Sequence, residues 1–294
     1  MQLSEVIQHY LRDCRRRGLS EHTIQNYQER LSDLLAKTGD RPINAVHLDD
    51  LRAWIDAKIE RGLSRHTIWS AVVTARIFFN WCVEEGLLDA SPARRLKRPR
   101  LPRPQPKALR EAEIHALLRA ARAGMNPERD EAIILFFLET GARRSAVAGL
   151  RMENFFLEEG VALTWTKGQK EVWLFFDQED VKRAVARWLR VRDPARFHPA
   201  VPPDSVFGLT SDGIRLLLYR LRERAGIQRR VSPHILRHTS AMMRAEQGID
   251  SPSLQQIMGW EDIRMAEVYT RMARERIKRR ASHTSPVAAL LQHD

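Results

Sequence analysis

SPHILRHTS, residues 232–240, decides how this chain is read: His234 and Arg237 stand three apart, Gly259-Trp260 follows, and Tyr269 comes 32 residues after Arg237. Tyr269 is one of only four tyrosines. It sits in a helical apolar pattern with Ile263, Ala266, Val268 and Met272, which leaves it at a helix edge rather than in a core strand. A phenol followed in this way by basic and hydrogen-bonding groups reads as a nucleophile among phosphate ligands. Transesterification of a phosphodiester needs those parts: an in-line nucleophile, cations on the non-bridging oxygens, and an acid for the departing 5′ oxygen. Arginine is the fitting clamp, because its planar fork meets two phosphate oxygens and keeps its proton. Arg143 and Arg237 are the candidates.

The bulk properties agree with a nucleic-acid partner. Lys and Arg number 49 against 37 acids, a net charge of +12, and the pI is about 10.3, as expected of a protein that displaces counterions from a polyanion. Solubility alone would also account for a bare charge excess, so the motifs have to decide. At 294 residues with 43% hydrophobic content, the chain is long enough for two domains, each with its own core. Cys14 and Cys82 have no C-x-x-C spacing and the histidines are scattered, so neither a disulfide framework nor a metal site is expected. A reduced, cytoplasmic protein without bound metal or cofactor fits that pattern. The start, MQLSEVIQHYL, carries no leader signature, and the longest apolar run, Ala132 to Leu138, is too short to span a bilayer.

Outward from the motif, the clearest boundary is residues 93–107, ARRLKRPRLPRPQPK. Pro99, Pro102, Pro104 and Pro106 oppose helix, and Arg94, Arg95, Lys97, Arg98, Arg100, Arg103 and Lys107 face no acid. This reads as an extended, semi-rigid tether that lies along phosphates. Residues 1–92 read as helices with apolar faces at Val6, Ile7, Tyr10 and Leu11, at Ile24, Tyr27, Leu31, Leu34 and Leu35, at Leu51, Trp54, Ile55 and Ile59, and at Ile68, Val72, Ala75, Phe79 and Val83. Gly18-Leu-Ser-Glu-His-Thr-Ile24 returns as Gly62-Leu-Ser-Arg-His-Thr-Ile68, each placing a serine as N-cap, which suggests two helical hairpins in one bundle. Arg65, His66, Thr67 and Arg76, with Arg15, Arg16 and Arg17, are placed to meet DNA; an ordinary solvated face is the competing reading for any one of them. Past the tether, Glu111–Ala123 and Asp130–Thr140 read as helices, the second buried. Val161, Leu163 and Trp165 alternate, as do Val172, Leu174 and Phe176, around the turn Lys167-Gly168-Gln169-Lys170, which predicts a β-hairpin. Helices follow over Glu179–Arg192, Ser211–Ala225, Pro233–Gln247, Ser253–Met258 and Ile263–Arg274. A short apolar patch, Val287 to Leu291, lies in the tail.

These boxes together resemble the tyrosine recombinase, or phage integrase, family, and nearly the whole chain resembles its Xer-like members. The first box stands as Thr140-Gly-Ala-Arg143-Arg-Ser-Ala-Val-Ala-Gly149-Leu150, the hairpin lysine as Lys167, the second box as His234-Ile-Leu-Arg237-His238, and the last block as Met258-Gly-Trp260 followed by Tyr269-Thr270. Each box alone is weak; their order and spacing are specific. The resemblance implies that Tyr269 attacks the scissile phosphate to give a 3′-phosphotyrosyl link and a free 5′ hydroxyl. It further implies that Arg143 and Arg237 bind the developing charge, that Lys167 protonates the leaving oxygen, and that His234 helps remove the phenol proton. No metal or nucleotide is then needed. Trp260 stands where Xer-like proteins usually carry histidine, as in Cre-like recombinases, and its indole N–H can still donate to phosphate. Ala146 stands where the family generally has an acid, so another carboxylate has taken over or the site is less efficient. Thr166 replaces the usual glycine before the hairpin lysine, and Lys170 is the second candidate for the acid.

Read as single residues, several of these positions have plainer uses. His238 caps or fills a helix junction, Trp260 is core, Arg144 is a surface or DNA-backbone residue, and Tyr10, Tyr27 and Tyr219 pack helices. The resulting expectation is a mainly α, two-domain C-shaped clamp: residues 1–92 a helical core-binding domain, 93–107 the linker, 108–276 a mostly helical catalytic domain with a small antiparallel sheet, and 277–294 a docking tail. The partner is double-stranded DNA with a specific recombination site. A monomer or dimer on each site precedes a homo-tetramer on two sites, with accessory proteins as further partners. A type IB topoisomerase-like relaxer and a non-catalytic DNA-binding accessory protein are the rivals.

Overall fold

Both Gly-Leu-Ser signals open helices. Ser20 Oγ accepts from the Thr23 N–H at 3.3 Å, and Ser64 Oγ from the Thr67 N–H at 3.1 Å. Gly18 and Gly62 ahead of them take φ of 70° and 67°, a left-handed turn that other residues resist. In this computed structural model, which describes residues 1–101, 108–166 and 170–283, the signals lie in the first of two units, Met1–Pro104 and Gln105–Asp294.

The first unit is a bundle of α1 (Leu3–Arg16), α2 (Glu21–Thr38), α3 (Leu48–Glu60) and α4 (Arg65–Glu84). Its centre is aromatic. The Tyr10 ring meets Phe78 at 5.4 Å and 74°, and Trp81 at 5.2 Å and 60°, edge-on pairs worth about 0.5–1.5 kcal/mol each beyond burial. Tyr27 packs on the same ring, so both tyrosines serve packing as expected. Trp54 donates its indole N–H to Asp33 at 2.7 Å, and Lys58 pairs with the same carboxylate, which explains how a lysine can be buried in α3. Ile59, expected on the buried face, is 57% exposed. The start of the arginine-rich segment also differs from the extended tether: Pro92–Arg95 form a 3-10 turn, and Ala93 and Leu96 are buried in the bundle core. Arg103 and Lys107 lie outside the described residues.

The second unit contains α5 (Glu111–Arg122), α6 (Pro127–Thr140), α7 (Arg144–Gly149), β1 (Phe155–Phe156), β2 (Val161–Thr166), β3 (Lys170–Phe175), α8 (Glu179–Val191), α9 (Ser211–Arg224), α10 (Pro233–Glu246), α11 (Ser251–Met258) and α12 (Ile263–His283). Helix α6 is its axis: Ala132, Ile133, Ile134, Phe136 and Phe137 are fully buried, packed among α5, α8 and α10. Two acids are buried near its start: Asp130 pairs with Arg129 at 3.0 Å, and Glu131 with Arg122 at 2.6 Å and Arg187 at 3.0 Å. The chain is thus mostly helical, with one small sheet of order β1-β2-β3, all antiparallel.

The hairpin forms, but β2 is turned over relative to its apolar alternation. Ala162 and Thr164 face the core, opposite Leu174 and Val172. The Leu163–Trp165 face lies outward, with Trp165, Trp173 and Phe175 between 45% and 55% exposed. Helix α7 and strand β1, at six and two residues, are too short to show a period in the sequence.

Candidate active site

Three short elements bring the predicted residues together. Helix α6 ends at Gly141, whose φ of 60° turns the chain so that Arg143 becomes the residue preceding α7. The left-handed backbone at Gly141 favours glycine, and a Cβ there would also lie 2.7 Å from the end of the Met258 side chain and displace it. Helix α10 begins at Ser232, whose hydroxyl accepts from the Ile235 N–H at 3.4 Å, with Pro233 in the first turn. Helix α11 ends at Gly259, φ 56°, which delivers Trp260.

The two guanidinium groups are held by backbone carbonyl oxygens. Arg237 donates to Gly141 O at 2.6 Å and to Met258 O, and Arg143 donates to Gly259 O at 3.0 Å. The expected replacement carboxylate is not among these contacts. Ala146 is buried, its carbonyl accepting from Thr164 Oγ1 at 3.2 Å. Beside it lies a void of about 10 Å³ bordered by Arg143, Arg237 and Met258, room for about one water. Arg237 is 7% exposed. Burial, and then the neighbouring Arg143, lowers its pKa to about 10, so it stays charged at neutral pH. Its guanidinium lies over the Trp260 ring at 5.5 Å. Trp260 in turn stacks on Tyr269 at 5.2 Å and 9°, making an arginine–indole–phenol pile.

An open cleft of about 420 Å³ is walled by Arg143, Arg144, Arg230, His234, Arg237 and Trp260. Its described lining contains no acid; Asp212 stands nearby, 3.5 Å from Arg144 and 3.4 Å from Arg215. Arg215 and Arg230 are additions that the motif reading did not contain. Their signal was only a basic count on and after α9. Such a cleft fits a phosphodiester, because cationic side chains line it.

Tyr269 is not at a helix edge. It is fully buried by Ala241, Met242, Leu254, Met258 and Ala266, with α12 pinned to α11 by Ser251 and Thr270 at 2.9 Å. Its hydroxyl meets His238 Nδ1, and His238 Nε2 lies 2.9 Å from His234 Nε2. His234 is therefore one imidazole removed from the phenol, and His238 does more than fill a junction. Spacing was the available signal, since residues i and i+4 share a helix face. Burial pushes the Tyr269 pKa up, against the pull of Arg237. Burial, then His234 and Arg237, lowers His238 to about 4, and burial followed by Arg237 lowers His234.

Lys167 lies outside the described residues; Lys170 is described only through its backbone pairing with Thr166. Among the DNA-contact candidates of the first unit, Arg65 and His66 are exposed at the start of α4. Thr67 is engaged in the cap, with Ser64 and Thr67 hydroxyls 2.8 Å apart. Arg76 donates to Arg94 O at 3.2 Å. Arg94, Arg95, Lys97 and Arg98 carry no ion pair among the described contacts; Arg94, Arg95, Lys97 and Arg98 lie at or near the surface. Tyr219, assigned to packing, is 53% exposed.

Residues 107–276 match the phage integrase family, and residues 7–86 match its N-terminal SAM-like domain. The chain belongs to the phage integrase family. It is 29% identical over 268 residues to the tyrosine recombinase XerC of Corynebacterium efficiens, covering 88% of this chain and 84% of that one. It is 26% identical to the XerC of Xylella fastidiosa strain M23, covering 87% and 88%. The fold is also that of the Tn1549 transposon integrase in complex with a circular intermediate DNA, with TM-score 0.73, 21% identity, and coverage of 93% and 98%.

Proposed function

We propose that the chain is a site-specific DNA recombinase that cuts and rejoins strands through Tyr269. The observation that carries this is the convergence of Arg143, Arg237, His234 and Trp260 on one cleft with no acid among its described lining residues, and with Tyr269 stacked on the indole. The scissile phosphate occupies the cleft, where both guanidinium groups neutralise the non-bridging oxygens and the Trp260 N–H adds a donor. The Tyr269 oxygen forms a bond to phosphorus as the 5′ oxygen leaves, protonated by Lys167. Reversal by a 5′ hydroxyl from another strand rejoins DNA without an external energy source. Because Tyr269 is buried in the free chain, α12 shifts toward the cleft when DNA is engaged.

The remaining parts follow the same reading. Residues 1–92 bind the core of the site through Arg65, His66, Thr67 and Arg76. The 93–107 segment lies along the backbone through Arg94, Arg95, Lys97 and Arg98, and Arg144 meets phosphate beside the cleft. Residues 108–276 perform catalysis. Four chains act on two sites through a Holliday junction, and the 277–294 tail docks on the adjacent protomer. The enzyme works in the cytoplasm. A lambda integrase tetramer bound to a Holliday junction shares this fold, with TM-score 0.74 and 15% identity, covering 89% of this chain and 78% of that one.

A nicked suicide duplex carrying the recombination site tests the reading. Covalent protein–DNA adduct is expected with the native chain and none with Tyr269→Phe. Binding without adduct under every condition would instead identify a DNA-binding accessory protein. Adduct with site-independent relaxation and no strand exchange would identify a topoisomerase-like relaxer.

A further inference from the structure

We infer that His238 is the base that takes the Tyr269 proton, and that it passes the charge to His234 at the cleft wall through a two-imidazole relay. This deepens the proposed recombinase chemistry and rests on it. The phenol is fully buried, so no bulk water can accept its proton directly. The hydroxyl touches His238 Nδ1, and the other nitrogen of the same ring faces His234 Nε2 at 2.9 Å, with the ring centroids 4.2 Å apart. The His234–His238 spacing places both rings on one face of α10. Of the pair, His234 alone is part of the cleft lining.

The tautomers follow from the contacts. For Nδ1 of His238 to accept from the phenol, its proton must sit on Nε2. That N–H then donates to His234 Nε2, which leaves the His234 proton on Nδ1. The groups facing His238 are Tyr269 from α12 and His234 and Arg237 from its own helix. The two α10 neighbours and burial all favour the neutral, accepting ring, while the raised Tyr269 pKa makes an adjacent base necessary at neutral pH. With the His238 contact kept as α12 shifts toward the cleft, the Tyr269 O–H bond breaks and its proton moves to His238 Nδ1. The His238 Nε2 proton moves to His234 Nε2, and the phenolic electron pair forms the bond to phosphorus. His234 ends as imidazolium and His238 as the opposite neutral tautomer. The cationic His234 then stands at the phosphate that is gaining negative charge.

The test uses the full chain and a nicked suicide duplex whose scissile linkage is a 5′-bridging phosphorothiolate, a leaving group that needs no acid. Single-turnover adduct formation is followed from pH 5.5 to 9.5. His238→Asn retains an oxygen near the Nδ1 position but cannot relay a proton. It is expected to cleave about 10²–10⁴-fold more slowly at pH 7 and to regain rate by about tenfold per pH unit toward alkaline pH, where hydroxide ionises the phenol. A rate within threefold of the native chain, or an equal loss at every pH, overturns the relay. Nitrogen NMR of histidine-labelled native protein supplies a second arm that needs no variant. Nε2–H on His238 with Nδ1–H on His234 is expected, and Nδ1–H on His238 overturns the assignment. Absence of adduct from the native chain counts against the recombinase reading, whereas the tautomers report on the relay alone.

Discussion

Trp260 separates two roles that can be removed one at a time. Trp260→Phe keeps an aromatic plate between Arg237, 5.5 Å away, and the Tyr269 ring, 5.2 Å away and nearly parallel, while deleting the indole N–H. If that N–H donates to the phosphate in the transition state, the loss is that of a hydrogen bond to a charged group, about 1.5–3 kcal/mol. At 1.36 kcal/mol per decade, this lowers the cleavage rate by about 10- to 150-fold. Thermal stability should change little, because the stack survives. Trp260→Ala removes the plate as well, forfeiting an aromatic pair of about 0.5–1.5 kcal/mol and a cation–π contact of about 0.5–2 kcal/mol. The melting temperature should then fall by roughly 2–4 °C per kcal/mol lost for a unit of this size, with a further loss of rate as Tyr269 loosens. The assay is single-turnover adduct formation on a nicked duplex, paired with calorimetry. Trp260→Phe cleaving within threefold of the native chain would refute the donor role and leave the indole as packing.

Three further outcomes follow from the same geometry. Arg237→Lys replaces a fork that spans Gly141 O and Met258 O with a point charge that cannot hold both and reach phosphate; adduct formation should drop by about 10²–10³-fold, and a smaller than fivefold loss counts against the clamp. Gly141→Ala sets a methyl group against Met258 at a left-handed position and should destabilise the second unit by about 1–3 kcal/mol in denaturant titration. The His238 pKa, lowered to about 4 in the folded chain against about 6.5 unfolded, means the unfolded state binds the extra proton between those values. Stability carried by neutral His238 is complete above about pH 6.5 and is lost as pH falls toward 4. Melting curves across that window should show the slope, and His238→Asn should flatten it.

What the sequence discloses depends on how local the cause is. The caps at Ser20 and Ser64 were legible because a serine before an apolar run acts within one turn. The hairpin was legible from its period, but not which face of β2 is buried, since that depends on its packing against α7, where Thr164 Oγ1 donates to Ala146 O. At the site, Arg143, Arg237, His234 and Trp260 were legible through motif order, and the structure draws them to one cleft. The burial of Tyr269 was not: the stripe Ile263, Ala266, Val268 and Met272 tells that α12 has an apolar face, yet not that α11 covers the phenol from the far side. His238 was visible as a residue but not as the phenol's partner, because that contact joins α10 to α12 across 31 positions.

The use of carbonyl oxygens to hold Arg143 and Arg237 has a practical corollary. A carbonyl orients a guanidinium without cancelling its charge, so Arg143 and Arg237 keep their attraction for anions. Sulfate, phosphate and heparin should therefore act as competitors, and purified protein should carry nucleic acid from its host until washed at high ionic strength. Buffers built on acetate or chloride will consequently return tighter DNA binding than sulfate buffers matched for ionic strength.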